Sequence, residues 1–312
     1  MNKYYQMFKQ SFPYIVRNRE EALRILNNPE NKFIDINDEK GNLIGTSIIH
    51  KNTILMLCVS GKFRNNGLGT RLLKNSEEFI EKCGYNEINI GVGENYLMPG
   101  IPMATKPYSE ELKEDEIYKC VTNDSYNFFS RRGYFHSWKD ANCFDMRADL
   151  EKNNFSNESI GDVIDGIKYR FANINDIPKI IEATDDACKE FSVYYKDKNL
   201  YSKKSRQKVL IATCNGEVCG ALIISIEFEA KDLGSVGCTV VRHKYRGKHI
   251  AVNMVVLGTK YLKSLGLKSG FLGYTYSGLD KMYGYAGYKI CIYYCMAQKQ
   301  LNSKKDNCNI KI

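Results

Sequence analysis

Thr53-Ile-Leu-Met-Leu-Cys-Val59-Ser-Gly-Lys-Phe-Arg64-Asn-Asn-Gly67-Leu-Gly69-Thr70 is the stretch on which the reading of this chain turns. Thr53–Ser60 is rich in Ile, Leu and Val and reads as a buried strand. From Leu68 onward, Leu72, Phe79, Ile80 and Cys83 recur at helical spacing, and Gly84 sits where a helix ends. Between strand and helix lies a loop with two glycines. A helix N-terminus offers unsatisfied N–H groups and a positive dipole end, and glycines let backbone wrap closely around an anion. The expected ligand is a phosphate or diphosphate. The spacing is neither GxxxxGK[ST] nor GxGxxG, so a nucleoside triphosphate or a dinucleotide fits poorly. A plain glycine-rich turn is the competing reading.

The chain then repeats itself. Val59-Ser-Gly-Lys-Phe-Arg64 matches Val241-Arg-His-Lys-Tyr-Arg246, and Gly84 matches Gly266, both at an offset of 182 residues. Gly133-Tyr134 and Gly287-Tyr288 match at an offset of 154, so the first copy carries about 28 extra residues, roughly 94–120. That segment holds three prolines and an acidic run, and reads as an inserted loop with one short helix. Its apolar start, Tyr96–Pro102, suggests a lid or the wall of an acceptor site.

The remaining elements follow one order twice. In the first copy, residues 4–27 are helical with a break at Phe12-Pro13. Lys32–Asn37 and Leu43–His50 form a hairpin, Glu87–Val92 a strand, Ser125–Arg132 a short helix, and Phe135–Trp138 and Asn142–Leu150 the last strands. In the second, strand Ile167–Ala172 precedes a helix capped by Asn175 with Pro178 in its first turn. Val209–Cys214 and Val218–Glu227 form a hairpin, and Gly234–Val241 the matching motif strand. Gly270–Tyr274 is a strand, Leu279–Tyr285 a short helix and Tyr288–Lys299 one final strand. The expected domains are 1–150 and 166–312, joined by a polar linker at 151–165, with a frayed tail after Leu301.

Composition sets the outer bounds. The 312 residues are 43% hydrophobic and 26% charged, an ordinary globular balance with room for two domains. No run approaches the ~20 apolar residues of a membrane span, and the N-terminus lacks an apolar signal core. Eleven cysteines without a CxxC pair, and four histidines, argue against a disulfide framework or a zinc site and for a cytoplasmic protein. Residues 1–150 hold 20 basic and 20 acidic side chains, so the net charge of +9 lies wholly in 151–312, with 25 and 16. Scattered as they are, the basic residues favour attraction of a small anion over a nucleic-acid stripe.

Arg64-x-x-Gly67-x-Gly69 after an apolar strand resembles the acyl-CoA pyrophosphate motif of the GNAT superfamily of N-acetyltransferases. Phe128-Phe129-Ser-Arg-Arg-Gly133-Tyr134 and Met282-Tyr283-Gly-Tyr-Ala-Gly287-Tyr288 are similar to that family's F-Y-x-x-x-G-F segment. The resemblance covers nearly the whole chain as two tandem copies. It implies an α/β fold, each copy a mixed, mainly antiparallel central sheet flanked by helices. It implies acetyl-CoA as co-substrate, no metal, and direct attack by a primary amine on a small molecule or a peptide. In the first copy it places the pyrophosphate at Arg64, Asn65, Asn66, Gly67, Leu68, Gly69 and Thr70. Backbone groups of Leu57 and Val59 would meet the pantetheine and the oxyanion, where two strands splay apart. In the second copy the matching positions are Val241, Arg246, Gly247, Lys248 and Ala251.

The copies depart from the pattern in opposite ways. The first has Phe129 where the family often has an acidic Tyr. The second keeps Tyr283 as a candidate acid but has His249 in place of the central Gly. The first copy is therefore expected to be the stronger CoA site. Glu94 and Glu227 are candidate bases, each competing with the reading of a solvated surface carboxylate. Tyr194, Tyr195 and Tyr201 are candidates to line an acceptor site, and Cys58 and Cys238 read as small apolar fillers. Two other functions stay open: a non-catalytic acyl-CoA sensor or scaffold, and activity confined to the second copy.

Overall fold

The computed structural model describes residues 2–91, 97–105, 124–136, 143–155, 157–227, 231–276 and 278–301. The first half opens with α1 (Lys3–Ser11) and α2 (Arg19–Leu26), whose first turns donate N–H groups to the side chains of Asn2 and Asn18. Then come β1 (Lys32–Asn37), β2 (Leu43–His50), β3 (Thr53–Val59), α3 (Leu68–Lys82) and β4 (Glu87–Ile90). They are followed by β5 (Ile101–Thr105), α4 (Asp124–Ser130) and β6 (Phe135–His136). Next are β7 (Cys143–Asp149), β8 (Val163–Ile164), β9 (Ile167–Phe171), α5 (Ile177–Ala187) and α6 (Ser192–Tyr195). The hairpin β10 (Gln207–Cys214) and β11 (Glu217–Ser225) leads to β12 (Leu233–Val241), α7 (Ile250–Ser264) and β13 (Ser269–Tyr276). The chain closes with α8 (Asp280–Gly284), β14 (Lys289–Cys295) and β15 (Ala297–Gln300).

The motif strands and helices lie where hydrophobic periodicity predicts them. α3 buries Leu72, Leu73, Ser76 and Ile80 and ends in a left-handed Gly84 at φ 86°, with the Tyr85 N–H closing back on Ile80 O. α7 buries Met254, Leu257, Gly258 and Leu262, and the Leu267 N–H closes back on Leu262 O after Gly266 at φ 81°. Leu72 joins Ile36, Ile44 and Val59 in one apolar cluster of the first half. In the second half Ile180, Tyr195, Ile211, Ala221 and Val240 form another.

Two compact units result, and the first is not one continuous stretch. Among the described residues it draws on 2–105, 124–143 and 293–301, and the second on 144–292. These differ from the expected 1–150 and 166–312. Strand β15 from the chain's end belongs to the first sheet, in the order β1-β2-β3-β4-β15-β6. Most of β7 lies in the second unit, whose strands run β14-β7-β13-β12-β11-β10-β9-β8. The expected single strand Tyr288–Lys299 is thus two strands, β14 and β15, parted at Met296. Part of the expected linker is also structured, since Val163 and Ile164 pair with Lys168 and Ile167. Asn175 does not cap the helix: Asn173 caps a 3-10 turn, in a reciprocal capping box with Asp176, and Asp176 is itself the N-cap residue of α5. The body of the insertion, 106–120, and the tail after Leu301 lie outside the described residues.

Candidate functional site

In the first unit β3 and β4 run parallel and pair only at Thr53↔Asn89 and Ile54↔Ile90. β3 continues to Val59, whereas β4 stops at Ile90 and turns at Gly91, φ 78°. Pro99 packs against that turn so closely that a Cβ on Gly91 would stand 1.9 Å from the Pro99 carbonyl oxygen, so only glycine fits. Beyond Ile54 the edge of β3 is therefore open towards the diverged strand. The Ser60 N–H donates to Ile44 O, which fixes the alternation along β3: Ser60, Cys58 and Met56 turn their backbone groups to β2. Leu57 and Val59 turn theirs to the open side. A bulge at Leu55, where Ile48↔Met56 shifts to Ile49↔Ile54, adds local twist at the mouth of the opening.

A cavity occupies this opening. β3 contributes Ile54 to Leu57, β4 Ile90, the start of the insertion Met98 to Pro102, α1's C-terminal side Phe12, and α4 Ser125 and Phe129. The apolar stretch 96–102 is thus a wall of the cavity through its described residues.

The phosphate-loop geometry lies at the end of the same strand. A 3-10 turn, Gly61–Phe63, follows β3, and Arg64 folds back so that its Nε donates to Val59 O at 3.0 Å. Asn65 (φ 63°) and Gly67 (φ 74°) are both left-handed, and Gly67 is the N-cap of α3. The first intrahelical bond runs from the Arg71 N–H to Gly67 O, so the N–H groups of Leu68, Gly69 and Thr70 have no acceptor within the helix. A Cβ on Gly67 would meet nothing within 4 Å, which leaves that side of the loop open. Gly69 faces the ring of Phe128, 3.5 Å from where a Cβ would stand, while the next residue, Phe129, lines the cavity.

One cation here escaped sequence reasoning. Arg132 stacks on Phe128, 4.0 Å from the ring centroid. It donates from Nη1 to Phe128 O at 2.7 Å and from Nη2 to Thr70 Oγ1 at 2.8 Å. A guanidinium is thereby held over the first turn of α3. The four-residue spacing of Phe128 and Arg132 is visible in the sequence; their approach to Thr70 is not.

The second unit builds the same loop from different residues. Arg246 Nε donates to Val241 O at 3.4 Å, and Gly247 (φ 77°) and His249 (φ 54°) take the two left-handed places. His249 is the N-cap of α7. A pocket lies on this loop, lined among others by Arg246, Gly247, His249, Ala251 and Met282. Lys248 stands 5.5 Å from the Tyr245 ring centroid. Lys244 is engaged with Glu217 at 2.5 Å and holds that carboxyl below the usual range.

β12 and β13 pair from Leu233↔Ser269 to Ser235↔Phe271, and the Arg242 N–H donates to Cys219 O, so Thr239 and Val241 turn their backbone groups away from β11. Tyr283 is 7% exposed, and burial pushes its phenol above the ordinary range, with Thr239 pulling the other way. Thr239 Oγ1 is buried without a hydrogen-bond partner among the described residues. The Tyr195 hydroxyl donates to Cys238 O at 2.6 Å and Tyr201 donates to Tyr195 O at 2.9 Å, so these two tyrosines pack and brace the strand. Tyr194 is exposed. Glu227 forms an ion pair with Arg206 at the end of the hairpin. Glu94 lies outside the described residues.

A parallel strand pair that splays, and an amide-rich loop opening a helix at the end of one of its strands, occur in both units. Residues 3–95 match the family model described as acetyltransferase (GNAT) domain. A GCN5-related glucosamine N-acetyltransferase region of a fungal multi-domain GH3 β-N-acetylglucosaminidase superposes over 94% of the chain with a TM-score of 0.67 at 17% identity. The alignment takes in 36% of that longer protein. A GCN5-related N-acetyltransferase from Sphaerobacter thermophilus gives a TM-score of 0.62 at 16% identity, covering 96% of this chain and 91% of that one. A tandem GNAT protein from the clavulanic acid biosynthesis pathway gives 0.59 at 13% identity, covering 96% and 94%. No curated protein sequence matches significantly. Residues 3–95 are thus similar to a GNAT acetyltransferase domain, and the chain shares the fold of tandem GNAT structures.

Proposed function

We propose that the chain transfers an acyl group from acyl-CoA, acetyl-CoA in the simplest case, to a primary amine, and that the first unit holds the stronger CoA site. The observation that carries this reading is the continuity in the first unit between an open loop of helix-start amides and the cleft beside Leu57. The diphosphate would lie against the N–H groups of Leu68, Gly69 and Thr70, with Arg64 fixing the loop. The pantetheine amides would pair with the outward backbone groups of Leu57 and Val59, as a strand adds to a sheet edge.

In this scheme the neutral amine attacks the thioester carbonyl, a C–N bond forms and the C–S bond breaks. CoA leaves as thiolate, and the proton lost by the amine goes to solvent. A backbone N–H on the open edge of β3 would stabilise the oxyanion. Phe129 has no proton to give, but a thiol of pKa ~8.5 leaves without full protonation. Tyr283 would serve as acid only if the second unit also turns over. The acceptor is a small-molecule or peptide amine. The nine described cysteines are free thiols, which fits a cytoplasmic setting.

A thiol-release assay with acetyl-CoA and an amine panel tests the reading, with Gly67→Asp as the control. Release should require an amine and be lost in Gly67→Asp. Tight CoA binding without release above hydrolysis would favour the second reading, a CoA sensor or scaffold, which Phe129 and His249 motivate.

A further inference from the structure

The cleft of the first unit is more apolar than an acetyl group requires. Of the described residues that line it, Ser125 alone has a polar side chain. Phe12, Leu55, Met56, Met98, Ile101 and Phe129 set its character, and all but Leu55 come from outside the β3–β4 pair or from a flexible thioether. Phe12, Leu55, Met56, Met98, Ile101 and Phe129 are each less than about a third exposed, and Leu55, Met56 and Ile101 are nearly fully buried. An acetyl methyl needs a seat for one carbon, whereas the apolar lining here draws on β3, β4, α4, Phe12 and the start of the insertion.

Two other occupants fit worse. An ammonium acceptor inside such walls would lie without a carboxylate from the described lining, at a steep desolvation cost. Bulk water would find one hydroxyl. An aliphatic chain loses nothing there, and Met56 and Met98 can adapt their thioethers to its length.

We infer that the first unit takes a short to medium aliphatic acyl-CoA, of four to six acyl carbons, in preference to acetyl-CoA. The inference rests on the reading of this cleft as the thioester site. The transfer step is unchanged: the amine nitrogen bonds to the acyl carbonyl, the C–S bond breaks, CoA leaves as thiolate, and the amine proton passes to solvent. What changes is the chain beyond the carbonyl, which passes Leu55 and Met56 towards Met98 and Phe12.

Each methylene moved from water to an apolar wall strengthens binding by about fourfold, so butyryl-CoA, two methylenes longer, should bind about fifteenfold tighter than acetyl-CoA. Calorimetry on the full chain with acetyl-, butyryl- and hexanoyl-CoA measures this. The butyryl-to-acetyl ratio should fall below about threefold in Met98→Phe and in Leu55→Phe, each of which narrows the cleft; circular dichroism identifies a variant that has not folded. Acetyl-CoA binding as tightly as butyryl-CoA in the unsubstituted chain overturns the inference and leaves the acyl-transfer reading standing. A ratio that persists in both folded variants also overturns it, because the chain then binds elsewhere. Failure of every acyl-CoA to bind removes the acyl-transfer reading as well.

Discussion

Gly67 and His249 occupy the same backbone conformation, φ 74° and 54°, each as the N-cap of a 15-residue helix that follows a 3-10 turn and an inward-folded arginine. Loss of glycine in the second loop has therefore not changed its course. Gly247 and Asn65 show the complementary exchange one step earlier, at φ 77° and 63°. Each loop holds one glycine and one side chain in its two left-handed places, in opposite order. The difference that matters is where the side chain stands: at Gly67 the space is open, and at His249 an imidazole borders the pocket.

Exchanging the two residues separates loop shape from loop access. Gly67→His should keep the fold at a cost of about 1 kcal/mol for left-handed strain and weaken acyl-CoA binding at least tenfold. His249→Gly should change stability by less than about 1 kcal/mol, because relief of strain is offset by unfolded-chain entropy. It should raise the calorimetric stoichiometry from one towards two. Unchanged affinity in Gly67→His would move the CoA site away from the first loop.

Arg132 should act on the phosphates and not on the acceptor. Its guanidinium is fixed by Phe128 and Thr70 over the helix start, with donors left for an anion. Arg132→Ala should weaken acyl-CoA binding about tenfold and flatten the dependence of affinity on salt. Arg132→Lys should recover only part, since a lysine lacks the planar fork. Equal affinities at low and high salt in the unsubstituted chain would remove this role.

The parts of the molecule legible from sequence are those set by local signals. β3, α3 and their repeats were visible because apolar runs and periodicity end at Gly84 and Gly266, which the chain needs in the left-handed form. The outward facing of Leu57 and Val59 followed from the resemblance and is now fixed by the bond from Ser60 to Ile44. Sheet membership was not legible: β14 and β15 form one apolar run in sequence, and nothing local says that the run divides at Met296. The side-chain cap was placed two residues late because Asn173 and Asn175 are the same residue type. The choice between them depends on Asp176, and Asp176 depends on Arg170 across the turn. Arg132 was missed for the same reason, its partner Thr70 lying 62 residues away.

Asp176 should be a measurable support of the second unit. It is 8% exposed and accepts from Arg170 Nη1 and Nη2 at 2.8 and 2.7 Å and from the Asn173 N–H at 2.8 Å. The Arg170 guanidinium holds its carboxyl below the usual range. With the folded value below the unfolded one, the stabilisation is present above the ordinary carboxylate pKa of ~3.9 and fades as pH falls through the depressed value. Because Arg170 is partly exposed, solvent screening limits the effect, and Asp176→Asn should cost about 1–2 kcal/mol at pH 7. Urea unfolding at pH 7 and at pH 3 checks it: the difference between variant and parent should shrink at the lower pH. A constant difference would assign the loss to packing.

Cys58 decides between direct attack and a thiol-borne acyl intermediate. It lies on β3 between Leu57 and Val59, where a nucleophile would be well placed, yet burial pushes its thiol up to about 11. At pH 8 almost none is thiolate, and the thiolate is the reactive form. Cys238, on β12, is pushed up to about 11 by burial as well. Cys83 is exposed and, among the described cysteines, should react first with iodoacetamide in the folded chain, while Cys58 and Cys238 should label only in denaturant. Mass mapping of labelled peptides reads this out alongside thiol release. Turnover should persist after Cys83 is modified, and Cys58→Ala should retain turnover within about threefold once corrected for folded fraction, because direct attack asks nothing of the thiol. Rapid labelling of native Cys58 with parallel loss of turnover would instead require an acyl-cysteine, and the amine would then attack that ester and not the CoA thioester.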